Sequence, residues 1–298
     1  ILIDYMGPNI NIGAKLKRSR NNIPIYYYIA PQEWAWRVGN NSTTNLINFS
    51  DKIFAIFKQE AIFYRRRGGN VSWVGHPMLD LTKKLPSKKF SRTILKLKAN
   101  QNILLLMPAS RPQELKYILP TFLKTAKKLQ LRYPSLLVYI PSCRSIFDEK
   151  FRQGLEKYEI KGKVISQQDN SKFMPYIYSL TKLALCKSGT VNMELALYGI
   201  PQIIGYRVSR VTAFIAKRIL NFKVRFISPV NLLVKKFIIP EFVQKNFNEK
   251  KIFFKACRLL DLTSEKVKIK KGYTLLRKEL GEEGVVDRAA KEIINSII

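Results

Sequence analysis

Residues 183–207 read LALCKSGTVNMELALYGIPQIIGYR, and the residue types in that stretch follow the order of a strand, a turn, a helix and a second strand. The apolar run LALC stops at Ser188-Gly189-Thr190, good helix formers continue to Tyr198, and Gly199 with Pro201 end the helix before QIIGY begins. Such a unit, built within about 30 residues, belongs to a parallel α/β sheet. Its chemistry lies in the turn. Ser188 is expected to cap the helix, Gly189 to let a ligand approach the backbone, and the N–H groups of the first turn to face an anion such as a diphosphate. Glu194, about one and a half turns into the helix, would reach sugar or ribose hydroxyls of the same ligand, and Arg207 can neutralise phosphate charge. Ser-Gly-Thr is also ordinary capping chemistry, so this stretch alone leaves both readings open.

The same alternation extends on either side. NILLLM at 102–107 is continuously apolar, as a strand buried on both faces should be, and Pro108-Ala109-Ser110-Arg111 opens a helix carrying Glu114. Ser110 and Arg111 thus bring backbone N–H groups and a cation to a second strand end. Strands are expected at 136–140 and 164–166 and helices at 146–158 and 172–180, which predicts a doubly wound sheet. In ISPVNLLVKKFIIPEFVQ (227–244), Asn231, Glu241 and Gln244 are expected on loops, where polar residues near a site contact ligands. SRVTAFIAKRIL (209–220) places Val211, Phe214, Ile215 and Ile219 at helical spacing with Arg210, Lys217 and Arg218 around them. That pattern suits a helix packed on a sheet or one lying at a lipid interface.

The beginning of the chain reads ILIDYMGPNI, an apolar strand ending in Asp4, then a Gly7-Pro8-Asn9 loop. Ligands of open α/β sheets sit beyond the carboxyl ends of strands, so Asp4 is placed either for chemistry or to cap the next helix. A basic helix is expected at 11–20 and a strand at 23–30. The loop PQEWAWR follows, and its Trp34 and Trp36, beside Arg37, can stack on a sugar, clamp an acyl chain or simply pack. After a strand at 51–57 and a helix at 59–67, His76 stands in a Gly-His-Pro turn, as an acid or base or in a structural, ligand-orienting role. The polar, Lys-rich stretch that follows marks a boundary. Residues 1–85 are assigned to a first lobe, 86–101 to a linker, 102–250 to a second lobe and 251–298 to closing helices. Because it opens inside a strand, the sequence is expected to be a fragment of a longer chain.

With 298 residues the chain is long enough for two domains. No run approaches the roughly 18–20 apolar residues that cross a bilayer. Cys143, Cys186 and Cys257 form no CxxC pair and there is one histidine, which argues against a disulfide framework or a zinc site. The 53 Lys and Arg against 21 Asp and Glu give a net charge of +32. That surplus favours anionic partners, although an AT-rich coding bias toward Lys, Ile, Asn and Phe would also produce it. The basic residues are spread along the chain without a nucleic-acid-binding motif, so nucleic acid is not expected. No DxD pair is present; a leaving diphosphate would be stabilised by helix N-termini and arginines, with no metal or cofactor.

Six segments, IDYMGPN, YYIAPQEWAWR, VGHPMLD, LLLMPASRPQE, KSGTVNMELALYGIPQIIGYRVS and NLLVKKFIIPEFVQ, together resemble the lipid-A-disaccharide synthase family in order and spacing over nearly the whole chain. The Gly-Pro-Asn and APQEW forms are similar to its cyanobacterial branch, which with this composition suggests a plastid genome. The resemblance implies a GT-B glycosyltransferase with two Rossmann-like doubly wound α/β lobes, the first incomplete. It implies an inverting reaction that joins UDP-2,3-diacylglucosamine to 2,3-diacylglucosamine 1-phosphate, giving a β-1,6-linked disaccharide and UDP. Asp4 would be the general base. Ser188, Gly189, Thr190 and Glu194 would hold the diphosphate and ribose of the UDP-sugar donor, with Ser110, Arg111, Arg207, Asn231, Glu241 and Gln244 around the UDP. Asn9, Trp34 and His76 would lie toward the acylated glucosamine phosphate acceptor. The expected setting is the plastid stroma or cytoplasm, against an anionic membrane surface, with a homodimer allowed. Gly7 stands where family members often carry a second Asp, and Ala109 where they carry Gly.

Overall fold

The computed structural model describes residues 1–19, 23–35, 42–209 and 225–297. Trp36, Arg37 and nearly all of the amphipathic stretch 209–220 lie outside the described residues. The chain divides into two compact units, one formed by residues 1–83 with 275–298 and the other by residues 84–274.

The first unit is built on four parallel strands, β1 (Leu2–Ile3), β2 (Tyr26–Tyr28), β3 (Lys52–Ala55) and β4 (Val71–Trp73), which lie side by side in chain order. Tyr27 is paired with Leu2 on one side and Ile53 on the other. Helices α1 (Met6–Arg18), α2 (Ser42–Phe49) and α3 (Lys58–Arg65) connect them. Tyr27, Leu46, Phe49, Ile53 and Tyr64 are buried in one core, each worth about 1.5–3 kcal/mol of transfer free energy. Gly13 lets α1 sit directly on that core, because a Cβ there would come within 2.4 Å of the Phe49 ring. The expected Gly7-Pro8-Asn9 loop is instead the first turn of α1. Proline is tolerated there, since first-turn N–H groups have no intrahelical acceptor.

Helix Val285–Asn295 belongs to the same unit. The Arg288 guanidinium donates to the carbonyls of Val74, Glu282 and Glu283, and the Tyr26 hydroxyl donates to the carbonyl of Ser296. The residues read as one set of closing helices therefore divide, with 251–274 in the second unit and 275–298 in the first.

The second unit holds six parallel strands, β5 (Asn102–Met107), β6 (Leu136–Pro141), β7 (Gly162–Ile165), β8 (Thr181–Lys187), β9 (Gln202–Tyr206) and β10 (Glu241–Val243). Across the sheet they run β10-β9-β8-β5-β6-β7. Counted from β5, this is the 3-2-1-4-5-6 order of dinucleotide-binding folds, whose direction of winding reverses between β5 and β8. Ile103, Leu104, Leu105 and Leu106 have no exposed surface, as the unbroken apolar run requires.

The stretch read as a linker contains helix Lys88–Leu95. Ser87 caps it by accepting the Phe90 N–H, Ser91 and Leu95 are buried, and the lysines stay on the solvent side. The Ser179 hydroxyl reaches Ser91 at 2.6 Å, tying this helix to Gln167–Leu180. Two buried positions four apart suffice to dock a helix whose overall composition is polar.

Candidate active site

Between β5 and β8 the direction of winding of the second sheet reverses, and open α/β sheets bind ligands in the crevice at such a point. Met107 of β5 is paired with Cys186 of β8, so the segments that follow each strand leave the sheet side by side. Lys187 joins them through an ion pair with Glu114 at 2.7 Å, in which both side chains are largely shielded from solvent. Lys187 was not singled out from sequence, because a Lys before Ser-Gly-Thr reads as surface charge until its partner is known.

The turn is held differently from the sequence expectation. Helix Val191–Leu197 begins after Thr190 and has no side-chain cap, and the Ser188 hydroxyl donates to the carbonyl of Ile227 instead. Ser188 lies too far ahead of the first helical residue to serve as its cap. The Gly189 N–H is taken by the side chain of Asn192 at 2.8 Å. Asn192 is fully buried, and its amide also donates to the Lys187 carbonyl and the Cys186 sulfur. Among the described residues, no hydrogen bond is made by the backbone N–H of Thr190 or of Val191. These two donors remain available to an anion, whereas the Gly189 N–H is taken.

Glu194 lines a pocket of about 360 Å³ with Met107, Asn170, Met174, Tyr178 and Tyr198. Burial raises its carboxyl pKa, opposed by the Tyr178 hydroxyl that donates to it. Arg207 is exposed and lines a separate concavity with Lys116, Lys124 and Phe247. Ser110 and Arg111 are exposed where β5 passes into helix Pro112–Arg132.

Asn231 and Glu241 are not loop residues: Asn231 lies in helix Pro229–Val234 and Glu241 opens β10. Buried Asn231 accepts the N–H groups of Ile238 and Ile239 and donates to the Ile239 carbonyl and to Glu241. The Glu241 carboxylate accepts from the Ile227 N–H at 2.8 Å, from the N–H and hydroxyl of Ser228, and from Asn231. Both residues therefore pin residues 227–228, and the Ile227 carbonyl in turn receives the Ser188 hydroxyl. Gln244 is half-buried with positive φ in a short 3-10 turn.

In the first unit Asp4 stands at the carboxyl end of β1, exposed, with φ of 48°. Its backbone carbonyl accepts the Tyr27 hydroxyl and the Asn9 amide, both at 2.8 Å, while its carboxylate makes no hydrogen bond among the described residues. Asn9 thus holds the backbone of Asp4 and Ile3 from inside α1. Trp34 donates to Gln32 at 2.6 Å and packs edge-on against Phe57. His76 is buried against Phe57, and its Nδ1 accepts the Met78 N–H, which leaves the proton on Nε2. Burial pushes its pKa down to about 4, so the imidazole is neutral.

One buried acid escaped the sequence reading. Glu60 has no exposed surface, and burial pushes its carboxyl up to about 8 despite N–H donors from Gln32, Phe57 and Ile56. It sits at the third position of α3 and reaches back to the Phe57 N–H, but with Phe57 in place of a Ser or Thr cap the sequence carries no capping-box signal that would have revealed it. Among the described residues there is no cluster of three His, Cys, Asp or Glu able to hold a metal ion, and no helix is long and apolar enough to cross a membrane.

Solved structures share this architecture. A putative UDP-N-acetylglucosamine 2-epimerase from Listeria monocytogenes matches over 99% of this chain and 73% of its own, with TM-score 0.69 and 13% identity. MnaA of S. aureus, in a co-structure with UDP, matches over 99% and 75%, with TM-score 0.69 and 15% identity. At these identities the likeness speaks for the fold alone, two parallel α/β sheets of the GT-B type.

The sequence model of the lipid-A-disaccharide synthetase family (LpxB) matches residues 1–297. The lipid-A-disaccharide synthase of Prochlorococcus marinus (strain MIT 9313) is 48% identical over 295 residues, 99% of this chain and 75% of the relative. That of Gloeothece citriformis (strain PCC 7424) is 38% identical over 297 residues, 100% of this chain and 76% of the relative. The chain belongs to the lipid-A-disaccharide synthase family and is a glycosyltransferase.

Proposed function

We propose that this chain uses the β5–β8 switch point as the donor site of a lipid-A-disaccharide synthase reaction, joining UDP-2,3-diacylglucosamine to 2,3-diacylglucosamine 1-phosphate. The observation that carries this reading is the pairing of two unbonded N–H groups, Thr190 and Val191, with the half-buried carboxyl of Glu194 in the adjoining pocket. The N–H groups take diphosphate oxygens, and Glu194 accepts from ribose hydroxyls. Ser110, Arg111 and Arg207 supply further donors and positive charge as the diphosphate leaves. Asn231 and Glu241 act through Ile227, which orients Ser188, and Gln244 follows in the 3-10 turn directly after β10.

On the acceptor side Asp4 is the general base. Its carboxylate takes the proton of the acceptor 6-hydroxyl while that oxygen bonds to the donor's anomeric carbon. The bond from that carbon to the diphosphate breaks, UDP departs with the electron pair, and the configuration inverts. Asn9 fixes the Asp4 backbone, while Trp34 and His76 shape the acceptor side. The excess of 53 basic over 21 acidic residues favours attachment to an anionic membrane and attraction of phosphorylated substrates. A plastid stroma or cytoplasm with such a membrane is the proposed setting, and a homodimer is compatible with it.

Calorimetric titration of UDP tests the donor site. UDP is expected to bind the folded chain and to bind at least tenfold more weakly to Glu194→Ala. No binding by the folded protein, or equal binding by the variant, would sink this assignment. Mass analysis of the product then separates this acceptor from another lipid.

A further inference from the structure

Asn170, which lines the pocket beside Glu194, carries a polar atom that the protein leaves unmatched. Asn170, in the first turns of helix Gln167–Leu180, donates through Nδ2 to the Ser142 carbonyl at 2.7 Å. A carbonyl only accepts, so this bond fixes the orientation of the amide and decides which atom is its oxygen. The remaining atom, Oδ1, is buried and has no hydrogen-bond partner among the described residues. Buried acceptors in native structures are nearly always satisfied, and an exception beside a pocket points to a donor that a ligand brings.

The surroundings restrict that ligand. Asn170 shares the pocket with the thioethers of Met107 and Met174 and with Tyr178 and Tyr198, whose rings lie 5.1 Å apart at 38°. Aromatic and thioether walls suit a flat ring. The pocket lies at the carboxyl ends of β5 and β6, through Met107 and Pro141, on the side of the switch point where these folds take the nucleoside.

We propose that Asn170 is a specificity-determining residue that reads the base of the donor nucleotide, with Oδ1 accepting the N3–H of a uracil ring. This rests on the donor-site assignment made above. Cytosine presents an unprotonated N3 at that edge, so lone pair would meet lone pair. The amide cannot turn to donate instead, because Oδ1 would then face the Ser142 carbonyl. A site built to receive a hydrogen bond rejects the analogue that lacks the donor.

The test is calorimetric titration of the full chain with UDP, CDP and 3-methyl-UDP, in which a methyl group replaces the N3 proton, for the unaltered protein, Asn170→Ala and Glu194→Ala. The unaltered protein is expected to bind UDP at least tenfold more tightly than CDP or 3-methyl-UDP. Asn170→Ala should lose about tenfold in UDP affinity, the worth of one buried hydrogen bond, and leave CDP unchanged. Glu194→Ala should weaken UDP and CDP alike. Equal binding of UDP and 3-methyl-UDP by the unaltered protein overturns the assignment of Asn170, and it does so even if the variant fails to fold. An unchanged UDP-to-CDP ratio in a folded Asn170→Ala does the same. If UDP binds and Glu194→Ala weakens it, either result leaves the donor site standing. Absence of UDP binding by the unaltered protein overturns both assignments.

Discussion

The carboxylate of Asp80 accepts the N–H groups of Gly284 and Val286 at 2.7 and 2.9 Å, so a residue just after the Gly-His-Pro turn caps a helix 204 positions further along the chain. Gly284 occupies the N-cap position of helix Val285–Asn295 and has no side chain with which to do this. The cap is supplied from outside, and in supplying it Asp80 docks the C-terminal helix to the first unit.

Replacing Asp80 by Ala is expected to lower the unfolding free energy by about 1–2 kcal/mol, the usual worth of an N-cap. Burial alone would raise the Asp80 pKa, but the N–H groups of Val286, Val285 and Gly284 and the Arg288 guanidinium outweigh it and hold it below the usual carboxylate value. The stabilisation is therefore complete above the unfolded-state pKa and fades as pH falls through the lower folded value. Urea titrations from neutral to acid pH should show the gap between the native protein and Asp80→Ala closing in acid. A gap that stays constant with pH would refute this role.

His76 is the single histidine of the chain, which makes its titration directly observable. Burial lowers its folded pKa from 6.5 to about 4. The unfolded chain thus binds the extra proton between these values, so the His76 contribution to stability is full above pH about 6.5 and declines toward pH about 4. Imidazole NMR should reveal no titration across pH 6 to 8, roughly the range in which an ordinary histidine changes charge. A midpoint near 6.5 would show that the side chain is solvated in solution.

Asn192 satisfies the Gly189 N–H and the Lys187 carbonyl from a fully buried position. Asn192→Ala leaves both unpaired and should cost about 1–3 kcal/mol in chemical unfolding. Because the loosened turn carries the Thr190 and Val191 N–H groups, the KM for donor should rise as well. Wild-type stability in this variant would mean that water replaces the amide.

Much of the architecture could be read along the chain. NILLLM and LALC are continuous apolar runs, each followed by a turn and a helical pattern, and local periodicity of that kind suffices to identify buried parallel strands. Ser188, Gly189 and Thr190 fall at a strand end, and Glu194 in the helix that follows, for the same reason, since strand ends are visible where apolar runs stop. Asp4 likewise follows from the end of an apolar run.

Which groups remain available at those strand ends depended on partners far away in sequence. The Ser188 hydroxyl was committed by Ile227, 39 residues on, and the expected helix cap became a tether. Asn231 and Glu241 read as polar loop residues until the fold turned the Glu241 carboxylate onto residues 227–228 and the Asn231 amide onto Glu241 and the Ile238–Ile239 backbone. The Lys-rich stretch after Thr82 looked like a linker because the two positions that dock its helix, Ser91 and Leu95, are a minority of its residues. Periodicity and turn chemistry are local, so a single chain displays them. Hydrogen-bond saturation is a pairwise property across the fold, and for Asp80, Ser188 and Asn170 it was settled only when distant segments came within 3 Å or so of one another.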